Sequence, residues 1–183
     1  MALIIGNGQY RRFHCDECEQ TNGYENLTVE NNLRDLKYLL EENDFIVTAY
    51  VDLEAENFLR VIRLFKEKCQ VAKNVLAFIY IGAHGFHRGT HDFAVPVDFQ
   101  DIMHENQHRL TASSLGLCTL ASLLENFAES NDENTDEESQ KKESTKFSVV
   151  CFWDLCRDTA INFPVDSYSA NCKDLQYTII YCW

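Results

Sequence analysis

Two nearly unbroken apolar runs constrain this chain more than anything else in it. Residues 147–157 (FSVVCFWDLCR) carry Val149, Val150, Cys151, Phe152 and Trp153 in succession and then turn polar at Asp154, Cys156 and Arg157. Residues 74–85 (NVLAFIYIGAHG) have the same shape, apolar from Val75 to Ile81 and closing on Gly82, Ala83, His84 and Gly85. Runs that are not interrupted every second residue by a polar one suit central parallel strands covered on both faces. In open α/β sheets the chemistry gathers beyond the carboxyl ends of such strands. Both runs are therefore predicted to be strands that end at one edge of a sheet, one delivering His84 and the other Cys156.

A thiol with the ordinary pKa of about 8.5 is only a few per cent thiolate at neutral pH. An imidazole beside it can take the proton or hold the thiolate as an ion pair, which requires spatial and not sequential adjacency. Two neighbouring strand ends would supply that adjacency. A Cys and a His taken singly are more often a small buried hydrophobe and a satisfied loop residue; their joint placement favours the reactive pair.

The rest of the chain reads as alternating strands and helices. Residues 2–6 form a first strand. Gly6, Asn7 and Gly8 follow it, but Arg11 stands where a dinucleotide-binding turn needs its third glycine, and no helix starts there. Residues 11–26 read as a polar loop. His14, Cys15 and Cys18 within it have a spacing that could contribute to a zinc site with His87 or His91, but we read a solvated loop and expect neither metal nor cofactor. Asn31 or Asn32 is predicted to cap a helix with Leu33, Leu36, Leu39 and Leu40 on one face, ending near Asn43. A strand over 45–51 and a helix over about 54–69 follow, with Phe58, Val61, Ile62 and Phe65 forming a core-facing stripe. The resulting β-α-β-α-β order predicts a doubly wound, mostly parallel sheet with helices on both faces. Residues 93–98 (FAVPVD) suit an edge strand or hairpin arm because of Pro96. Residues 115–127 are predicted to be a third helix, and 175–183 a last strand.

Between these last two elements the composition changes. Residues 125–143 hold eight acids against Lys141 and Lys142. Such a tract cannot bury enough apolar surface to offset its ordering entropy, so 129–146 is expected to be a disordered insertion in a single domain spanning 1–183. The net charge of −13 argues against a nucleic-acid or anionic-membrane partner, both of which need a basic patch. It is compatible with a cationic protein substrate. The opening apolar run is too short for a signal peptide, and Cys69, Cys118, Cys151 and Cys182 sit in apolar runs, so reduced cysteines and a cytoplasmic location are expected.

Five pieces, in order, resemble the caspase-like cysteine peptidases and the paracaspases in particular: Ala2-Leu3-Ile4-Ile5-Gly6-Asn7, residues 33–47 (LRDLKYLLEENDFIV), residues 78–86 with their His-Gly, residues 93–98, and Asp154-Leu155-Cys156-Arg157. From His84 to Cys156 is 72 positions, against roughly 50 in caspase signatures, and the excess corresponds to the acidic tract. The resemblance implies a three-layer caspase-like sandwich and a cysteine endopeptidase acting in intracellular signalling. In it Cys156 is the nucleophile, His84 its base, and the backbone amides of Gly85 and Cys156 form the oxyanion hole. Asp154 implies a substrate pocket for Arg or Lys. Asn32 stands where paracaspases carry a second acid just before the first helix, and Ala83 stands where the family has glycine, a strained position if positive φ is required there. In the family a further strand and helices follow that shape the pocket and a dimer contact; this sequence offers none after Trp183, as in a fragment or a member without that part. The rival readings are a catalytically impaired interaction or scaffold protein of the same fold and, more remotely, a flavodoxin-like ligand-binding domain.

Overall fold

The computed structural model describes residues 1–15, 20–22, 24–72, 75–88, 91–99, 118–119, 147–158 and 176–182. Strand β1 (Ala2–Gly6) is buried along its whole length, as an apolar run without polar alternation requires. It lies between β4 (Val47–Val51) and β5 (Val75–Arg88), parallel to both. On the far side of β5 lie β8 (Phe147–Asp158) and then β9 (Gln176–Cys182), again parallel. The parallel order is therefore β4-β1-β5-β8-β9. At the carboxyl end of β5 a hairpin brings β6 (His91–Ala94) and then β7 (Cys118–Thr119) alongside, both antiparallel to their neighbours. A separate two-stranded hairpin, β2 (Phe13–Cys15) with β3 (Gln20–Asn22), occupies part of the stretch expected to be loop.

The two helices cover opposite faces of the sheet, because strand residues of one parity face one helix and those of the other parity face the other. Helix α2 (Ala55–Val71) lays Phe58, Val61, Ile62, Phe65 and Cys69 against Leu3, Ile5, Ile79, Ile81, Ala83, Cys151, Trp153 and Leu155. Helix α1 (Glu30–Glu42) packs Leu33 and Leu40 over Ala2 and Ile4, with Phe78 and Tyr80 at the margin. A third cluster of Tyr10, Phe86, Phe93, Val95, Val97 and Phe99 fills the space under the carboxyl edge.

Side chains from distant segments secure the loops at this edge. Asn7, wholly buried, takes the Leu53 amide on Oδ1 at 2.9 Å and donates Nδ2 to the Val95 carbonyl at 3.0 Å. A polar side chain in the core is tolerable only when satisfied in this way. Asp52, at φ 53°, accepts the amides of Gly8 and Gln9 on a single oxygen, each at 2.8 Å. Asp98 accepts the Ala55 amide at 2.8 Å, so the first turn of α2 is capped by a residue 43 positions away.

Several expectations are corrected. The two apolar strands do not end at His84 and Cys156; β5 runs to Arg88 because Gly85 lets the β6 backbone come close, and β8 runs beside it to Asp158. A Cβ at Gly85 would stand 2.6 Å from the Phe93 carbonyl oxygen. Helix α1 begins at Glu30 with Val29 at its cap and no side-chain capping bond, so Asn31 and Asn32 lie inside its first turn. Cys118 and Thr119, expected in a helix, are extended and paired with β6; the remainder of 115–127, and the acidic tract 129–146, lie outside the described residues. Among the described non-glycine residues only Asp44 and Asp52 have positive φ, so Ala83 is an unstrained strand residue. No described helix is long and apolar enough to cross a membrane.

Candidate active site

The ladder between β5 and β8 fixes which residues meet. Gly82 is opposite Asp154, His84 is opposite Cys156, and Gly85 is opposite Arg157. Partners opposite one another on parallel strands leave the sheet on the same face. Tyr80, Gly82 and His84 of β5 therefore share a face with Phe152 and Asp154 of β8, while the intervening residues Ile81, Ala83, Trp153 and Leu155 form the α2 core; Cys156 is placed by its backbone register alone, its side chain lying outside the described set. His84 stands where β5 changes neighbours, between the last rung with β1 at Gly6–Gly82 and the first β6 pair at Gly85–Ala94.

His84 is held from three directions by residues that the sequence did not single out. Its ring is stacked on Tyr24, with centroids 4.8 Å apart and an interplanar angle of 26°, and meets Tyr10 edge-on at 4.9 Å. Its Nε2 lies 2.8 Å from the Glu25 carbonyl oxygen. A carbonyl can only accept, so Nε2 carries a hydrogen, and in the neutral ring Nδ1 is then the accepting nitrogen. The backbone of His84 is fixed as well. Its amide donates to the Tyr10 hydroxyl at 2.8 Å, that hydroxyl donates to the Val95 carbonyl at 3.3 Å, and the Val95 amide donates to the His84 carbonyl at 3.0 Å. Tyr10 is thus wedged into one rung of the pairing between β5 and the chain leaving β6.

Strand alternation gives Gly85 a definite direction. Since the His84 amide and carbonyl both point to the β6 side, those of Gly85 point to β8, into the ladder that continues to Phe86–Asp158.

Asp154 is half-buried and accepts a hydrogen bond from the Tyr80 hydroxyl at 2.7 Å on Oδ2. Asn32 is exposed on the first turn of α1, beside Leu33, whose side chain closes over Gly6. The two buried cysteines whose side chains are described are poor nucleophiles: burial pushes the Cys151 thiol up to about 12 and the Cys69 thiol up to about 11. His14, Cys15, Cys18, His87 and His91 have side chains outside the described set; among the described residues no three His, Cys, Asp or Glu side chains cluster as a metal would need.

The described residues thus form a mostly parallel sheet between helices, with His84 and Cys156 at facing register positions on adjacent strands. The sequence matches the family model for the caspase domain over residues 1–176, and the chain belongs to that family of caspase-like cysteine peptidases. No curated protein matched the sequence.

Proposed function

We propose that this chain is a cysteine endopeptidase of the paracaspase kind, with Cys156 as nucleophile and His84 as its base. The observation that carries the reading is the His84–Cys156 register on adjacent parallel strands, within a family whose members are cysteine peptidases. The thiol proton passes to His84, which the Glu25 carbonyl already holds in the tautomer whose Nδ1 can accept it. The Cys156 sulfur attacks the scissile carbonyl, the imidazolium protonates the leaving amine, and water then hydrolyses the thioester with His84 again as base. Oxyanion stabilisation falls to the amides of Cys156 and Gly85, each such donor being worth on the order of 3 kcal/mol in related chemistry. For Gly85 to donate, the ladder beyond His84 has to part when substrate enters.

Specificity for Arg or Lys before the scissile bond follows from Asp154, two residues before the nucleophile and on the same face of β8. A carboxylate there accepts a guanidinium bidentately and repels an acid. Asn32 contributes no charge, so the pocket has one carboxylate fewer than the paracaspase pattern. The expected substrates are intracellular signalling proteins, met in the cytoplasm as a homodimer or on a signalling scaffold.

The paired state of Gly85 favours a second reading, a family member that binds without cleaving. The two separate in a peptide-library assay with wild type and Cys156→Ala: cleavage after Arg or Lys that the variant lacks supports the first. Cleavage after Asp would overturn the pocket, and no cleavage even when the chain is artificially dimerised leaves the binding protein as the answer.

A further inference from the structure

We propose that Tyr80 is a specificity-positioning residue, whose hydroxyl holds one oxygen of Asp154 so that the other is presented to a substrate cation; this rests on the reading of Asp154 as the pocket acid. Two features of the sheet produce the contact. Tyr80 is opposite Phe152 in the ladder and Gly82 is opposite Asp154, so the phenol has to cross diagonally to reach the carboxylate one rung further on, a span that long side chains can bridge on one face of a sheet. The crossing passes over Gly82, where there is no side chain. A Cβ at that position would stand 2.7 Å from the Tyr80 hydroxyl and 3.0 Å from Cε1, so any larger residue displaces the phenol. The resulting bond has the ordinary length of a hydroxyl donating to oxygen, 2.7 Å from hydroxyl to Oδ2.

Asp154 has little freedom while this bond is made. Its χ1 rotation would carry Oδ2 away from the phenol, so the carboxylate plane is held, and among the described residues no partner engages Oδ1. A planar guanidinium needs a carboxylate in one defined orientation, and a fixed acceptor loses less rotamer entropy on binding than a free one. Tyr80 is also four residues before His84 on the same strand face, so the hydroxyl, the carboxylate and His84 lie along one face of the β5–β8 seam.

The test uses the full chain carrying Cys156→Ala, so that binding is measured without turnover. Two peptides serve as probes, identical except for a terminal Arg amide in one and a citrulline amide, its uncharged isostere, in the other. Cys156→Ala is expected to bind the Arg peptide more tightly. Adding Tyr80→Phe is expected to weaken the Arg peptide about fivefold, the scale of one hydrogen bond to a charged group acting indirectly, with less than a twofold change for citrulline. Gly82→Ala should do the same by moving the phenol. In an Asp154→Asn background Tyr80→Phe should add nothing, because its effect passes through the acid. A phenol that merely stabilises the sheet would weaken both peptides alike. An Arg-to-citrulline ratio unchanged by Tyr80→Phe, in a protein that does prefer Arg, overturns the role of Tyr80 and leaves the pocket intact. No preference for Arg in Cys156→Ala itself overturns the pocket, and with it this role.

Discussion

Tyr10 does the work of a bridging water, but with an aromatic body attached. Its hydroxyl completes a rung that the chain after β6 cannot close directly, and its ring meets the His84 imidazole. Tyr10→Phe keeps the ring and orphans the His84 amide, while the Val95 carbonyl keeps its bond from Asn7 Nδ2, and an unpaired buried group costs about 1–3 kcal/mol. At about 2–4 °C per kcal/mol for a chain of this size, Tm should fall by several degrees, and the His84 amide should exchange with solvent faster. An unchanged melting temperature would mean that the rung closes without the hydroxyl. Buried thiols supply a second residue-level prediction. Cys151 and Cys69 are held protonated to about 12 and about 11, whereas an unfolded thiol ionises near 8.5. Above that pH the unfolded chain has lost protons that the folded chain keeps. The stability these thiols contribute is therefore complete below about pH 8.5 and declines as pH rises toward 11 and 12. Thermal unfolding between pH 8 and 11 should show Tm falling, with a shallower slope in Cys151→Ala; equal slopes would remove Cys151 from the explanation.

At the scale of elements, α2 is positioned by its stripe and by its start. The stripe brings Phe58 and Ile62 to full burial, while Asp98 receives the Ala55 amide at the positive end of the helix dipole. Asp98→Ala should cost about 1 kcal/mol, the usual effect of losing an N-terminal cap, seen as a small fall in Tm that Asp98→Asn largely restores. A loss of folding would instead assign Asp98 a larger structural task. Helix faces and strand parity were largely legible from sequence: Leu33 and Leu40 on α1, the Phe58, Val61, Ile62 and Phe65 stripe on α2, and the two apolar strands fall where period 3.6 or 2 puts them, whereas Leu39, expected on the same α1 face, is exposed and Leu36 only partly buried. Period two also carries the candidate site, since Tyr80, Gly82 and His84 must share a face whatever the neighbours are. What periodicity cannot give is the partner across the gap. Tyr24 and the Glu25 carbonyl come from a stretch read as a polar loop and Tyr10 from the residue just before it, and their approach to His84 depends on how that stretch folds back over the sheet. The extension of β5 to Arg88 was hidden for a related reason, because residues 85–88 are polar enough to read as loop and become strand only by pairing with β6.

The whole molecule carries a net charge of −13, and under the proposed function this bears on how a cationic substrate would arrive as well as on how it would be held. A strongly negative protein raises the local concentration of positive peptides and speeds their encounter, an effect that acts over a Debye length of about 10 Å at 0.1 M salt and about 3 Å at 1 M. Contact with the half-buried Asp154, the proposed pocket acid, would be screened much less. Raising the salt should therefore lower kcat/KM for an Arg peptide mainly through KM, leave kcat nearly unchanged, and hardly affect the citrulline peptide. Residues 129–146 supply seven acids against three lysines, so deleting them should flatten the salt dependence for Arg while the Arg-to-citrulline ratio at high salt stays as it was. The composition of that tract predicts an insertion, and because each doubling of loop length costs only about 0.6 kcal/mol, the deletion should leave Tm within a degree or two. Salt dependence that is equally steep for the neutral peptide would show that the charge acts on the fold and not on the encounter.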